Sequence, residues 1–356
     1  MQKKLIALAV AGLVSTGAFA QSTAVTVYGI ADLSFDSVST SGGTVANTKT
    51  GSYTRVSSNS SYIGFKGTED LGNGLKALFQ LETGVNVDAG GSASLFGNSR
   101  DSFAGLTGAF GTVVAGTLSG PTRVLGTQID VNAGATSIGD NKGLINTSGL
   151  DTRVGNTVAY VSPSFGGAAV TAAYVSGENK TADNVAAALK KDTTGYDLGL
   201  TYNQGPILAG VTYGQIKNRD LTDSQVKNTR VAGAYDFGMA SVRLLWNSTK
   251  NETTTTSLKQ NVWGLGATFN AAPNGKIVAQ YYKANDKTGN AVSNEGAKLF
   301  ELGYEHSFSK RTMLKVIYAR INNDEAAAFN FGTNAALNPA AGVDPSGFQI
   351  GIRHAF

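Results

Sequence analysis

Few residues of this chain have the types and spacing that catalysis requires. The chain has two histidines and no cysteine, which excludes thiol chemistry, disulfides and cysteine metal sites. His306 and His354 fall on the apolar side of alternating segments, where a general base would be poorly placed. No G-x-S-x-G motif, phosphate-binding loop or metal-ligand spacing occurs. The sequence therefore predicts a protein that is not an enzyme and has no bound metal or cofactor.

The segments that carry the remaining polar groups alternate with period two, as strands do. At the C-terminal end, Phe348 and Ile350 share one side, while Gln349 and Arg353 share the other. About sixteen such segments follow one another, and this predicts an all-β fold. They lie near residues 24–36, 53–66, 75–87, 98–108, 110–117, 155–162, 168–177, 193–203, 207–216, 228–237, 240–249, 259–270, 275–284, 296–308, 311–321 and 347–356.

The N-terminal residues have the pattern of an export signal. Lys3 and Lys4 precede the apolar run 5–14, and the small-residue cleavage pattern follows at 18–20. The run is too short to span a bilayer, which takes about 20 residues. We predict that residues 1–20 are a cleaved signal peptide and that 21–356 form one domain. Its 27 basic and 25 acidic residues are too balanced to indicate a nucleic-acid partner.

The connectors and the polar faces indicate a membrane barrel. Short connectors such as 203–206 and 271–275 alternate with long ones, as periplasmic turns and external loops do in outer-membrane barrels. Closure satisfies every edge hydrogen bond, and sixteen strands leave an aqueous lumen. The sequence predicts a 16-stranded antiparallel transmembrane β-barrel whose last strand, ending at Phe356, closes against the first.

Several segments resemble the general porins of the Gram-negative outer membrane, in particular the beta-proteobacterial branch. They are 25–33, 63–84 (IGFKGTEDLGNGLKALFQLETG), 100–116, 153–167 and 351–356. The resemblance implies an integral outer-membrane homotrimer, surrounded by lipid and lipopolysaccharide, that passes small hydrophilic solutes and ions by passive diffusion. It also implies that the strand ending at Phe356 is a recognition signal for the barrel assembly machinery.

The resemblance further implies that residues 118–152 are the third external loop, folded into the lumen as a constriction. A loop of this length without regular alternation is usually functional. It carries Arg123, Asp130, Asp140 and Asp151.

Strand parity predicts a basic wall opposite this loop. With Phe79 on the lipid side, Lys76 faces water; with Phe103 and Val158 on the lipid side, Arg100 and Arg153 face the pore. Our hypothesis is that Lys76, Arg100 and Arg153 oppose the loop carboxylates and create a transverse field that sets ion selectivity. The alternative is that these charges only form ion pairs that hold the loop in place.

Two positions differ from the usual pattern of this branch and leave the sign of selectivity open. Tyr62 stands where an arginine is usual, and Gly116–Thr117 stands where Gly-Arg is frequent. Two other functions also stay open on the same barrel. A substrate-specific channel would place aromatic side chains or a saturable site in the lumen, and a surface adhesin would use the external loops.

Overall fold

The computed structural model describes residues 25–43, 51–88, 95–145, 149–177, 192–218, 223–332, 337 and 339–356. The predicted signal peptide, residues 1–20, lies outside these ranges, and its cleavage stays a prediction.

Eighteen strand segments and two helices make up the described chain. The strands that precede the helices are β1 Thr26–Gly42, β2 Ser52–Ser58, β3 Tyr62–Gly72, β4 Leu75–Val85, β5 Phe96–Ser99, β6 Ser102–Gly108 and β7 Gly111–Ser119. The helices are α1 Pro121–Ile129 and α2 Lys142–Ile145. The remaining strands are β8 Arg153–Val161, β9 Ala168–Val175, β10 Thr193–Gln204, β11 Ile207–Asn218, β12 Ser224–Asp236, β13 Ala240–Glu252, β14 Ser257–Ala272, β15 Gly275–Ala284, β16 Ala297–Ser307, β17 Thr312–Asn323 and β18 Val343–Ala355.

These segments form sixteen antiparallel strands in a closed barrel. β2 and β3 both pair with β1, as two parts of one strand interrupted at 59–61, and β5 and β6 both pair with β4 in the same way. The ring closes where β1 pairs with β18, from Ile30–Ala355 to Gly42–Val343. The predicted 16-stranded barrel, closed by its last strand, is therefore confirmed.

A side chain supplements main-chain pairing at the interruption between β2 and β3. Ser60 adopts a positive φ of 60°. The backbone amide of Asp32 donates to Ser61 Oγ at 2.9 Å, and Ser61 Oγ donates to the Asp32 carbonyl at 3.0 Å. The backbone amide of Asn59 donates to the same carbonyl at 2.7 Å. The bulge therefore keeps the ladder satisfied while it turns Asn59 and Ser61 towards Asp32.

The outer face of the barrel is apolar, and charged and amide side chains lie on the inner face, the reverse of a soluble protein. Exposed outer residues include Phe35, Leu81, Val158, Leu244, Phe300 and Ile350, whereas Asp32, Asp36, Gln80, Glu301 and Gln349 are buried on the inner side. Among the described residues, no helix is both long enough and apolar enough to cross a membrane.

One parity prediction was wrong. Phe103 is 4% exposed, pairs with the inward-facing Gln80, and packs inside the barrel with Leu78 and Val114. The strand is interrupted at 100–101, between β5 and β6, so alternation counted across that point does not hold. Arg100 reaches the lumen because it lies at the interruption.

The core of the molecule lies inside the barrel. We call residues 120–152, of which 146–148 lie outside the described chain, the inner loop. Its α1 packs on β10, β11 and β12, and α2 packs on β15 and β16. Loop residues such as Leu125, Ile129 and Ile138 are buried with inward-facing wall residues such as Leu299 and Ile317. The sequence showed no regular structure here, whereas apolar contact with the wall stabilises two short helices.

Candidate pore constriction

The inner loop enters the lumen through a helix that the wall caps. Gly120 precedes α1 and provides no capping side chain, and Pro121 begins the helix. Instead Asp197 on β10 accepts hydrogen bonds from the Thr122 amide at 2.9 Å and from Thr122 Oγ1 at 2.7 Å. A carboxylate at a helix N-terminus satisfies free amides and interacts favourably with the helix dipole. Asp197 therefore fixes the direction of α1.

The tip of the inner loop is bonded to strands on another part of the wall. Asn132 Nδ2 donates to Glu301 Oε2 at 2.9 Å. Thr136 Oγ1 donates to Asp32 Oδ2 at 2.8 Å, and Lys315 Nζ donates to the Thr136 carbonyl at 3.0 Å. The loop is thus held by β10–β12 at its start and by β1, β16 and β17 at its tip.

Arg100 and Arg153 are each tethered to a wall carboxylate. Arg100 Nε donates to Glu82 Oε2 at 3.1 Å, and its guanidinium lies over the Tyr62 ring, 4.1 Å from the centroid. Arg153 Nε donates to Asp101 Oδ2 at 2.8 Å. Among the described residues, each of these two side chains donates through Nε, so the planar guanidinium groups keep further donors for a passing solute.

Arg123 on α1 lies near Arg100 and Arg153. Its Nη1 donates to the carbonyl of Asp151, and burial together with the nearby charge of Arg153 lowers the pKa of Arg123 to about 10. The side chain therefore stays charged at neutral pH. Arg100 is close enough to contribute to the same effect. The structure brings three guanidinium groups together where the inner loop begins and ends.

Two of the loop carboxylates, Asp130 and Asp151, bind the wall. Asp130, Asp140 and Asp151 are all buried. Asp130 accepts hydrogen bonds from the backbone amides of Asn132 and Asn141 and from the side chain of Gln280. Burial raises the pKa of Asp130. Asp151 is ion-paired with Arg230 on β12. This differs from the arrangement expected from the sequence, in which the carboxylates oppose the basic wall across the lumen.

Lys76 is not part of this cluster. It lies on the inward side of β4, next to the turn at 73–74. Its register partners on the neighbouring strands are Asp70 and Thr107. Glu82, the partner of Arg100, is six residues further along β4, or about 20 Å at the rise of a strand. Lys76 is therefore separated along β4 from the carboxylate that binds Arg100.

The sequence did not single out the wall residues that hold the loop, although parity could have found some of them. Asp32, Arg230 and Arg353 all point inward, and Arg353 Nη1 donates to Asp32 Oδ2 at 3.0 Å. Arg55 also faces inward, where its Nε lies 3.1 Å from Asp36 Oδ2. Within the described part of the chain, no cluster of three or more acidic or histidine side chains could hold a metal ion.

Comparison with known proteins identifies the family. Residues 7–326 match the family model described as Gram-negative porin. The chain belongs to this porin family. Outer membrane porin protein 32 of Delftia acidovorans is 33% identical over 368 residues, which cover 100% of both chains. The solved structure of an anion-selective porin from Comamonas acidovorans is 28% identical, with a TM-score of 0.82 over 94% of this chain and 100% of that one.

A further relative matches a smaller part of the porin. Major outer membrane protein P.IB of Neisseria gonorrhoeae is 35% identical over 215 residues, 59% of this chain and 56% of the relative. The family and the closed 16-stranded barrel show an integral outer-membrane channel for passive diffusion of solutes. The family, the location and the general function predicted from the sequence are confirmed.

Proposed function

We propose that this porin admits small hydrophilic solutes without catalysis and prefers anions. The observation that carries the proposal is the cluster of Arg100, Arg123 and Arg153. Glu82 and Asp101 each offset one arginine, while no described carboxylate forms an ion pair with Arg123. The field at the constriction is therefore positive, and fixed charge in a narrow pore selects counter-ions. The anion-selective relative from Comamonas acidovorans supports the same sign.

A substrate-specific channel is the second candidate, because two aromatic side chains face the lumen. Tyr62 and Tyr28 form an edge-on pair with centroids 6.1 Å apart. However, Arg100 lies over Tyr62, and Lys66 Nζ lies 4.8 Å from the centroid of Tyr28. Rings that already support cations in this way do not offer a continuous free stacking surface to a solute. This favours the diffusion channel.

Swelling of liposomes that contain the porin distinguishes these two functions. We expect the rate for neutral sugars to fall steadily with molecular size and to rise in proportion to concentration, because the solute crosses an open passage. Liposomes without protein are the control. A rate that saturates for one sugar and is inhibited by that sugar alone would establish the specific channel instead.

We propose that the porin assembles as a homotrimer among outer-membrane lipid and lipopolysaccharide, as the family resemblance implies. The monomer already provides a closed ring of strands, so the trimer is not required to satisfy backbone hydrogen bonds. Currents that close in three equal steps would report three pores in one assembly.

We also propose that Phe356 acts as an assembly signal. Its amide donates to the Gly29 carbonyl at 3.1 Å, and the Gly29 amide donates back at 3.3 Å. The ring lies so close to Gly29 that a Cβ there would be 2.4 Å from Phe356 Cζ. Phe356 therefore also contributes to closing the barrel, and any test must separate the two roles.

Phe356→Ala is expected to reduce the amount of folded porin in the outer membrane several-fold while detergent refolding of the purified chain stays near normal. Phe348→Ala, which changes an exposed aromatic residue on β18, the strand that immediately precedes Phe356, is the matched control. Heat-modifiable gel mobility measures both quantities. Equal losses in cells and in detergent would leave only the structural role.

A further inference from the structure

We propose that Arg230, Asp151 and Gly126 form a clamp that positions Arg123 and Arg153 and thereby sets the ion selectivity of the pore. The proposal rests on the anion preference proposed above. Arg230 itself is 0% exposed and does not contact the permeating ion. It is a positioning residue that acts through the arginines of the constriction.

The guanidinium of Arg230 binds Asp151 with both terminal nitrogens. Nη1 lies 2.8 Å from Asp151 Oδ1, and Nη2 lies 2.9 Å from Asp151 Oδ2. This paired geometry fixes the orientation of a carboxylate as well as its position. A lysine could not reproduce it, because an ammonium lacks the planar fork.

The remaining donors of Arg230 reach both helices of the inner loop. Nη1 also donates to the Thr122 carbonyl in the first turn of α1 at 2.6 Å, and Nη2 makes a long contact of 3.5 Å with the Ile145 carbonyl of α2. Nε donates to Asn247 Oδ1 on β13 at 2.9 Å. All the donors of the guanidinium are thus used. One side chain joins the wall to α1, α2 and the start of β8.

The bonded groups are direct neighbours of the constriction arginines. Arg123 follows Thr122 in the chain, and Arg153 follows Asp151 by two residues. Arg123 also donates to the Asp151 carbonyl, so it is hydrogen-bonded to the residue whose carboxylate Arg230 binds. A displacement of Asp151 would therefore move both charges relative to Arg100.

Gly126 allows Arg230 to approach α1. A Cβ on Gly126 would lie 2.4 Å from Arg230 Nη1, well inside contact distance. Glycine is unfavourable within a helix and alanine is the most favourable residue. The unfavourable glycine occurs in α1 at the position where the guanidinium of Arg230 lies against the helix backbone. Gly126 thus supports the clamp independently of the ion pair between Arg230 and Asp151.

The test compares Arg230→Lys and Gly126→Ala with wild-type porin in planar bilayers. Arg230→Lys keeps the charge but loses the paired geometry, and Gly126→Ala pushes the guanidinium away without changing any charge. We expect each variant to lower the chloride-to-potassium permeability ratio by about twofold or more, the effect of moving a unit charge by a few ångströms in a partly aqueous pore. We also expect noisier open-channel currents.

Arg55→Lys is the matched control. Arg55 pairs with Asp36 on the wall and has no described contact with the inner loop, and the substitution again keeps the charge. Its permeability ratio should equal that of wild type. Heat-modifiable gel mobility confirms that each variant has formed its barrel, and Gly126→Ala alone decides the question if Arg230→Lys does not fold.

A folded Gly126→Ala or Arg230→Lys with the wild-type ratio and quiet currents would overturn the clamp. The proposed anion preference would survive that result if neutralising Arg100 and Arg153 still changes the ratio. If that neutralisation has no effect either, the proposed function itself fails. Equal changes in Arg55→Lys and Arg230→Lys would also overturn the clamp, since they would reflect a general response to lysine.

Discussion

Replacing Arg100 and Arg153 together by glutamine is expected to abolish the anion preference and to favour cations. Each substitution removes one positive charge and leaves its carboxylate partner, Glu82 or Asp101, without an ion pair. A unit charge about 8 Å from the ion path contributes roughly 0.5 to 1 kcal/mol in a pore of high dielectric constant, which is about two- to fivefold in permeability for each charge. The reversal potential across a KCl gradient measures the change.

Lys76→Gln is the control for this experiment. It removes the same charge from the lumen, but close to the turn at 73–74 and about 20 Å along β4 from Glu82. Salt screens charges over about 10 Å at 0.1 M ionic strength, so its effect should be small. An unchanged reversal potential in the Arg100 and Arg153 double variant would show that these arginines serve only as wall ion pairs.

Asp32→Ala is expected to cause the largest loss of stability and to release the tip of the inner loop. The Asp32 carboxylate is 0% exposed and accepts from Lys315 at 2.7 Å, from Arg353 at 3.0 Å and from Thr136 at 2.8 Å. Its removal leaves the buried ammonium of Lys315 without the carboxylate that pairs with it. Breaking a buried pair in this way costs about 3 to 5 kcal/mol. The temperature at which heating shifts the folded band to the mobility of the unfolded chain should fall. Channel closures should become more frequent.

Asp36→Ala provides the comparison for Asp32→Ala. Asp36 is equally buried on the same face of β1 and pairs with Arg55, but its described partners all belong to the wall. We expect a similar loss of heat stability without the additional closures. Unaltered heat stability and currents in Asp32→Ala would contradict the role given to this carboxylate.

Alternation between lipid and water made the barrel predictable from the sequence. Exposed apolar residues such as Phe35 and Ile350 and buried polar ones such as Asp36 and Gln349 occupy successive positions, because the two faces meet opposite solvents. The strands run further than predicted at their external ends. β1 extends to Gly42 and β13 to Glu252, where most side chains on both faces are polar and the pattern is lost although backbone pairing continues.

The constriction was less predictable because its determinants are distant in the chain. Asp197 caps a helix that begins at Pro121, and Arg230 binds Asp151. Neither partner can be identified by local spacing. The interruption at 100–101 also shifts the parity. Arg100 therefore reaches the lumen because of the strand break, which the alternation pattern cannot predict. Tertiary contacts turn two of the predicted loop carboxylates, Asp130 and Asp151, to the wall.

The reversal potential of wild-type porin in a planar bilayer tests the central claim most directly. With a KCl gradient, the cluster of Arg100, Arg123 and Arg153 predicts stepwise currents and a potential whose sign reports chloride as the more permeant ion. A potential of the opposite sign would contradict the anion preference. Absence of current steps from porin with a folded barrel would contradict the open channel itself.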